Sequence, residues 1–509
     1  MMLLQCLKRI AVIAVLPSVL LGCGDEELNS VSTASGGTYV GVEEAQTWSF
    51  RGIPFAKPPV GDRRWRAPEP ISIQGEYDAT AFSSACIQND GNANWYQSVA
   101  DNFNGPEKVI TTPPISEDCL YLNIWTPKPI KRDASLPVMV WIHGGSNVNG
   151  WGFEPNYLGS EFAKRRVVLV SINYRLGIFG YFSHPEMKDS QVVQNNFALL
   201  DQIAALSWVQ SNIEAFGGNA SNVTIFGESA GAANVGTLLA VPQSEGLFAK
   251  LISQSGGFQL LDRATLADAY EQGQALASKA NTDLNGLRAL THSQISELAE
   301  DIDGYSPVAG GPTLPLTVAE ALAANTLRSV PLMIGTNLDE WLMYLPDTVS
   351  EQAVANFRAE YLSTAQTQSV DEALAGLTAR QQLDRLTTAQ QMLCPSLSFA
   401  EANQDTAPSY VYRFDTTRAH PSNQIGAYHG AEIAYVFNTH DDWLPTSMVD
   451  LAISDAMIRY WVNFARTGNP NDSSLPSWPL LSSGQQLIFG DTPQRAVIQR
   501  AICDNLLTE

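Results

Sequence analysis

One string in this chain sets a nucleophile between two glycines: Gly227-Glu228-Ser229-Ala230-Gly231. It follows an apolar run, Val223-Thr224-Ile225-Phe226, and precedes small residues of helical character from 232 to 239. A strand, a tight turn and a helix in that order lift a serine hydroxyl above a sheet edge, because glycines permit the sharp turn and a close approach of neighbouring backbone. The helix would also aim its first N–H groups at developing negative charge. A serine hydroxyl is a weak nucleophile at neutral pH, so this chemistry requires a base within hydrogen-bond reach and an acid that holds the base in one tautomer.

Six histidines are available. His143 lies in a glycine-rich loop, His184 precedes a proline, and His292, His420 and His440 stand in polar segments. His429 sits in Gly426-Ala427-Tyr428-His429-Gly430-Ala431-Glu432, a loop after an apolar run ending near Phe414, where an imidazole can swing over a sheet edge. Asp339 and Glu340 both follow the apolar run 331–334, and spacing leaves the choice of acid between them open. A third element, Trp141-Ile142-His143-Gly144-Gly145-Ser146, runs from an apolar segment into glycines, as expected of a loop whose N–H groups stabilise an oxyanion.

The elements that must position these residues follow from the hydrophobic pattern. Short apolar runs at 138–142, 167–172, 223–226, 251–252, 331–334 and 410–414 alternate with helical patterns, which predicts a mainly parallel sheet covered by helices on both faces. Between the second and third runs, Leu199, Leu200, Ile203, Leu206, Val209, Ile213 and Phe216 form the stripe of an amphipathic helix that Gly217-Gly218 ends. Two stretches rich in Ala, Leu and Gln, 263–301 and 349–393, predict further helices that cap the site. No repeat or Pro-rich linker divides residues 38–509, which read as a single catalytic domain.

The first residues belong to export. Lys8 and Arg9 precede an apolar run, 10–21, too short to span a bilayer, and the run ends in Leu20-Leu21-Gly22-Cys23. That ending resembles the lipobox of bacterial lipoproteins, which implies a signal peptide over 1–22, lipidation of Cys23 and a periplasmic or cell-surface location. Residues 23–37 then read as a polar tether that does not pack. A formal charge of −22 repels phosphate backbones and anionic headgroups, so nucleic acid is excluded as a partner and the lipid at Cys23 is the expected membrane attachment. Four cysteines remain, Cys86, Cys119, Cys394 and Cys503. In an exported chain they predict two disulfides, and none has zinc-ligand spacing.

Beyond these patterns, the chain resembles the type-B carboxylesterase and cholinesterase family over nearly its whole length after the signal. The supporting strings include Phe50-Arg51-Gly52-Ile53-Pro54-Phe55-Ala56, Ser116-Glu117-Asp118-Cys119-Leu120-Tyr121-Leu122-Asn123, Asn173-Tyr174-Arg175, Asp201-Gln202, Ser253-Gln254-Ser255-Gly256 and the elbow itself. The resemblance implies an α/β-hydrolase fold and hydrolysis of a small-molecule carboxylic ester without cofactor or metal. It assigns Ser229, Glu340 and His429 as the triad, with Asp339 a neighbour, and the N–H groups of Gly145, Ser146 and Ala230 as the oxyanion hole. It further implies supporting roles for Ser255 and Glu228, the pairings Cys86–Cys119 and Cys394–Cys503, and an Arg51–Glu117 ion pair. Trp95 becomes a counterpart of the family's choline-stacking tryptophan. The chain departs from the family where Ser146 and Asn147 replace a glycine and an aromatic residue, and where Trp341 follows the glutamate. Two other outcomes share the fold: a catalytically silent binding module, which organophosphate labelling would distinguish, and an acyltransferase, which product analysis would.

Overall fold

The computed structural model describes residues 30–507 except 190, 191, 194, 258–264, 303, 364–366 and 422. Residues 1–22 and Cys23 lie outside them. An eleven-stranded sheet runs in the spatial order Pro493–Val497, Gln485–Phe489, Ser409–Phe414, Leu332–Asn337, Lys250–Gln254, Gly218–Glu228, Leu136–Ile142, Val168–Ile172, Tyr121–Pro127, Thr47–Pro54 and Val42–Glu43. From Gln485–Phe489 across to Val168–Ile172 every pairing is parallel, and antiparallel strands flank this block on both sides. All six apolar runs read from the sequence are strands of this parallel block.

Period-two alternation divides the sheet's side chains between two cores. Val138, Val140, Ile225, Leu251 and Ile334 face one side, where they meet Leu199, Leu206 and Val209 of the helix Phe197–Asn212. Met139, Trp141, Phe226, Ile252 and Met333 face the other, against Met457, Trp461 and Phe464 of the helix Met448–Thr467. Strands buried on both faces explain why they read as unbroken apolar runs. The chain is an α/β-hydrolase fold.

Four expectations are corrected or refined. The polar stretch 30–37 packs: Ser30–Ser32 pairs antiparallel with Gly37–Val40 and buries Val31, so the folded part begins earlier than residue 38. Strand pairing is made by backbone groups, which a Ser/Thr composition does not forbid. The first helical stretch, containing Leu266–Lys279, Leu284–Ala289 and His292–Leu298, builds a satellite core with Trp65, Phe179 and Phe182, and residues 304–318 after it reach the cavity. From the second stretch, Met392 reaches it. Arg51 is paired with Glu44 at 3.4 Å and stacked over Phe82, while Glu117 takes a bidentate pair from buried Arg64 at 2.7 and 2.5 Å. The reason is satisfaction of a buried cluster, since Arg64 also donates to the carbonyls of Leu287, Arg288 and Leu290, a task that Arg51 on its strand does not reach. The disulfides join Cys86 to Cys119 and Cys394 to Cys503.

Candidate active site

Ser229 stands at the C-terminal end of Gly218–Glu228 and immediately before the helix Ala230–Thr237. Its backbone takes φ 55° and ψ −128°, a conformation costly for a residue with a Cβ. The surroundings hold it there: the Ser229 N–H donates to the Gln254 carbonyl of the adjacent strand at 2.9 Å. Gly231 is required by contact, because a Cβ there would lie 2.1 Å from the Ile142 carbonyl oxygen. The elbow therefore fits only where the helix can touch the neighbouring strand's end.

His429 arrives from the loop beyond Ser409–Phe414 and Glu340 from the end of Leu332–Asn337. His429 Nε2 is 2.9 Å from Ser229 Oγ, and His429 Nδ1 is 2.6 Å from Glu340 Oε2. With the Nδ1 proton donated to the carboxylate, Nε2 is left to accept the serine proton. Glu340 is fully buried, and its other oxygen accepts from Ser255 Oγ at 2.5 Å and from the Asn337 N–H at 2.6 Å. Asp339 points elsewhere, accepting the Ala427 N–H at 2.8 Å and pairing with Arg385 at 2.8 Å. Geometry thus separates the two carboxylates that spacing could not.

The glycine loop crosses above Ser229. Gly145 has φ +95°, and a Cβ on it would fall 2.3 Å from the Asn149 carbonyl. Ser146 and Asn147 continue the left-handed backbone at φ 56° and 60°. Among the described residues no protein acceptor takes the N–H groups of Gly145 or Ser146, and Ala230 opens its helix, where N–H groups have no partner within the helix. His143 beneath the loop is excluded as a base: burial pushes it down to about 4, its Nδ1 donates to the Gly144 carbonyl at 2.9 Å, and its ring stacks on Tyr174.

Glu228 Oε1 lies 3.3 Å from His429 Nε2. Burial drives Glu228 toward its protonated form, up to about 8, against the opposing pull of the imidazole. Around these groups opens a cavity of about 880 Å³ lined by Trp95, Tyr305, Val318, Trp341, Tyr344 and Met392 among others. Trp95 donates its Nε1–H to Tyr344 Oη at 3.2 Å, and Trp341 holds its backbone against Asp384 at 2.9 Å. The volume lies in the range of small-molecule sites.

Comparison with known proteins identifies the family. A model of the carboxylesterase family matches residues 29–502. The chain belongs to the carboxylesterase family. This esterase is 33% identical to the para-nitrobenzyl esterase of Bacillus subtilis over 89% of its own length and 92% of the relative's. It is 33% identical to the fumonisin B1 esterase of Sphingopyxis macrogoltabida over 88% and 84% of the two chains. Among solved structures, the carboxylesterase EST55 of Geobacillus stearothermophilus superposes with a TM-score of 0.79 at 29% identity, covering 94% of this chain and 99% of that one. The protein is a serine carboxylic ester hydrolase by family.

Sequence reasoning missed several polar residues that hold the esterase site. Asn337 donates to Glu432 at 2.7 Å and to the Tyr428 carbonyl at 2.8 Å, and Gln254 donates to Glu432 at 2.9 Å. These bonds tie the acid-bearing and base-bearing loops together. The available signal was the spacing of three, Asn337 before Glu340 and Glu432 after His429.

Proposed function

We propose that this esterase acts through an acyl-enzyme on Ser229, with His429 as general base and acid and Glu340 orienting and stabilising the imidazolium. Ser229 Oγ attacks the ester carbonyl as its proton passes to His429 Nε2, and the resulting oxyanion takes N–H groups of Gly145, Ser146 and Ala230. His429 then gives that proton to the departing alcohol. Water, deprotonated by the same imidazole, releases the acid and restores the hydroxyl. The observation that carries this reading is the unbroken relay from Ser229 through His429 to Glu340, at 2.9 and 2.6 Å.

The substrate class is a carboxylic ester with room for substituents well beyond acetyl, given the cavity's volume. The test is release of p-nitrophenol from short-chain esters by wild type and Ser229→Ala. Abolished turnover in a folded variant supports the mechanism, and retained turnover removes Ser229 from it. Export as a lipoprotein is a separate part of the proposal and rests on Leu20-Leu21-Gly22-Cys23, ahead of the family match that begins at residue 29. Metabolic labelling with palmitate should mark the wild type and leave Cys23→Ser unlabelled. Equal labelling of both removes the anchor.

A further inference from the structure

The two halves of the oxyanion hole come from different parts of the chain. Gly145 and Ser146 belong to a loop, whereas Ala230 begins the helix Ala230–Thr237. A tetrahedral intermediate is stabilised only if donors from both halves converge within hydrogen-bond distance of one oxygen, so their relative position has to be held. The loop is poorly suited to holding itself. Gly145, Ser146 and Asn147 are successive left-handed residues at φ 95°, 56° and 60°, and Ser146 is exposed to the cavity. A side chain with a Cβ is disfavoured in that region, asparagine least.

Asn147 supplies what the loop lacks. Its side chain is buried, and its Oδ1 accepts from Asn234 Nδ2 at 2.9 Å. Asn234 lies on the Ala230–Thr237 helix, four residues after Ala230, and is itself buried. The Asn147 Nδ2 donates to the Tyr305 carbonyl at 3.0 Å. A carbonyl only accepts, so this second bond fixes which way the amide faces and leaves Oδ1 for Asn234. The Asn147 carbonyl accepts the Gly177 N–H at 2.7 Å, so this residue is held from three directions.

We propose that Asn147 is the positioning residue of the oxyanion hole: its amide clamps the Gly145–Ser146 donors to the helix that carries the Ala230 donor. The proposal rests on the acyl-enzyme reading of Ser229. A buried amide pair is directional, so it sets the loop's orientation and not only its distance.

The test compares wild type, Asn147→Ala, Asn234→Ala and the double variant on a short p-nitrophenyl ester. It is joined by the inhibition constant of an aryl trifluoromethyl ketone, which adds Ser229 Oγ to its carbonyl carbon and leaves an oxyanion in the hole. Asn234→Ala is the decisive variant, because it removes the clamp without changing a left-handed position, and helix interiors accept alanine. The expected result is a fall in kcat of about tenfold to a hundredfold with KM within about threefold, and a parallel loss of ketone affinity. The double variant should lose no more than the worse single one, since both remove the same bond. Folded variants that keep kcat and ketone affinity within about twofold of wild type, or that lose only KM, overturn the clamp. If the wild type shows no Ser229-dependent turnover, the acyl-enzyme reading falls first and the clamp with it. Ser229-dependent turnover indifferent to Asn147 and Asn234 removes the clamp alone.

Discussion

Ser255 and Glu340 are joined by a 2.5 Å hydrogen bond donated by the serine hydroxyl to Oε1, which leaves Oε2 to face His429 at 2.6 Å. Ser255 itself stands at φ 55°, its N–H donated to the Gly335 carbonyl at 2.8 Å, so the hydroxyl is held by a fixed backbone. The buried carboxylate therefore has each oxygen assigned, and its orientation follows from the strand ends around it.

Removing that hydroxyl leaves Oε1 with the Asn337 N–H as its remaining donor. A hydrogen bond to a charged group contributes about 1.5–3 kcal/mol. Ser255→Ala is expected to lower kcat by about tenfold with KM unchanged, because the imidazolium formed in the transition state loses a well-oriented partner. Steady-state kinetics on a short ester measure the split, and a rise in KM at constant kcat would assign Ser255 to substrate binding instead.

The pH profile depends on Glu228 and His429, which are close enough to titrate as a pair. Burial works against charge on both. On His429 it is outweighed by Glu228 and Glu340, which push the imidazole up to about 9. These are two placements of one proton: when Glu228 holds it, the imidazole is neutral and able to accept from Ser229. A carboxylate favours the imidazolium, so removing its charge lowers the pH at which His429 becomes a free base. Glu228→Gln is expected to move the acid limb of kcat/KM to lower pH, measured from about pH 5 to about pH 9 on an uncharged ester. An unmoved limb would show that Glu228 remains neutral throughout.

The disulfides close loops of 33 and 109 residues. Loop-closure entropy assigns them about 4 and about 5 kcal/mol respectively. They differ in what they enclose: Cys86–Cys119 brackets Trp95 in the cavity wall, whereas Cys394–Cys503 ties the helix Cys394–Gln404 to the short turn Cys503–Asn505. Replacing Cys394 and Cys503 by serine should lower the unfolding midpoint by about 5 °C at fixed scan rate with kcat/KM retained. Replacing Cys86 and Cys119 should lower stability and raise KM together. Equal kinetic behaviour of the two variants would contradict this division.

Much of this site was legible because its logic is local. The elbow lies in one strand-turn-helix string, and the parallel strands announce themselves by being buried on both faces. The antiparallel strands Thr47–Pro54 and Tyr121–Pro127 did not, since Ser49, Asn123 and Thr126 interrupt their apolar pattern while lying buried. His429 and Glu340 come from loops 89 positions apart, and only the resemblance chose Glu340 over Asp339. Arg51 was paired with the wrong acid for a related reason: which cation reaches Glu117 depends on three carbonyls near residue 290, distant in the chain. Asn147 was visible as a departure from the family, but its partners Asn234 and Tyr305 are 87 and 158 positions away.

The adjacent carboxylates Asp339 and Glu340 should separate cleanly under mutation. Glu340 touches the imidazole, so Glu340→Gln replaces the acceptor of the Nδ1 proton and is expected to lower kcat by about 10³–10⁴ while leaving the fold. Asp339 touches backbone and Arg385, holding the His429 loop through Ala427 and the Asp384–Arg385 cluster. Asp339→Ala leaves a buried N–H without its acceptor, which costs about 1–3 kcal/mol. It should lower the unfolding midpoint and reduce kcat by no more than about tenfold, through a looser imidazole. Asp339→Asn keeps an acceptor for Ala427 and should recover most of that loss. If instead Asp339→Asn suffered the larger loss and Glu340→Gln kept kcat within about tenfold, Asp339 would be the acid that supports His429, and the 2.6 Å contact of Glu340 would not be the catalytic one.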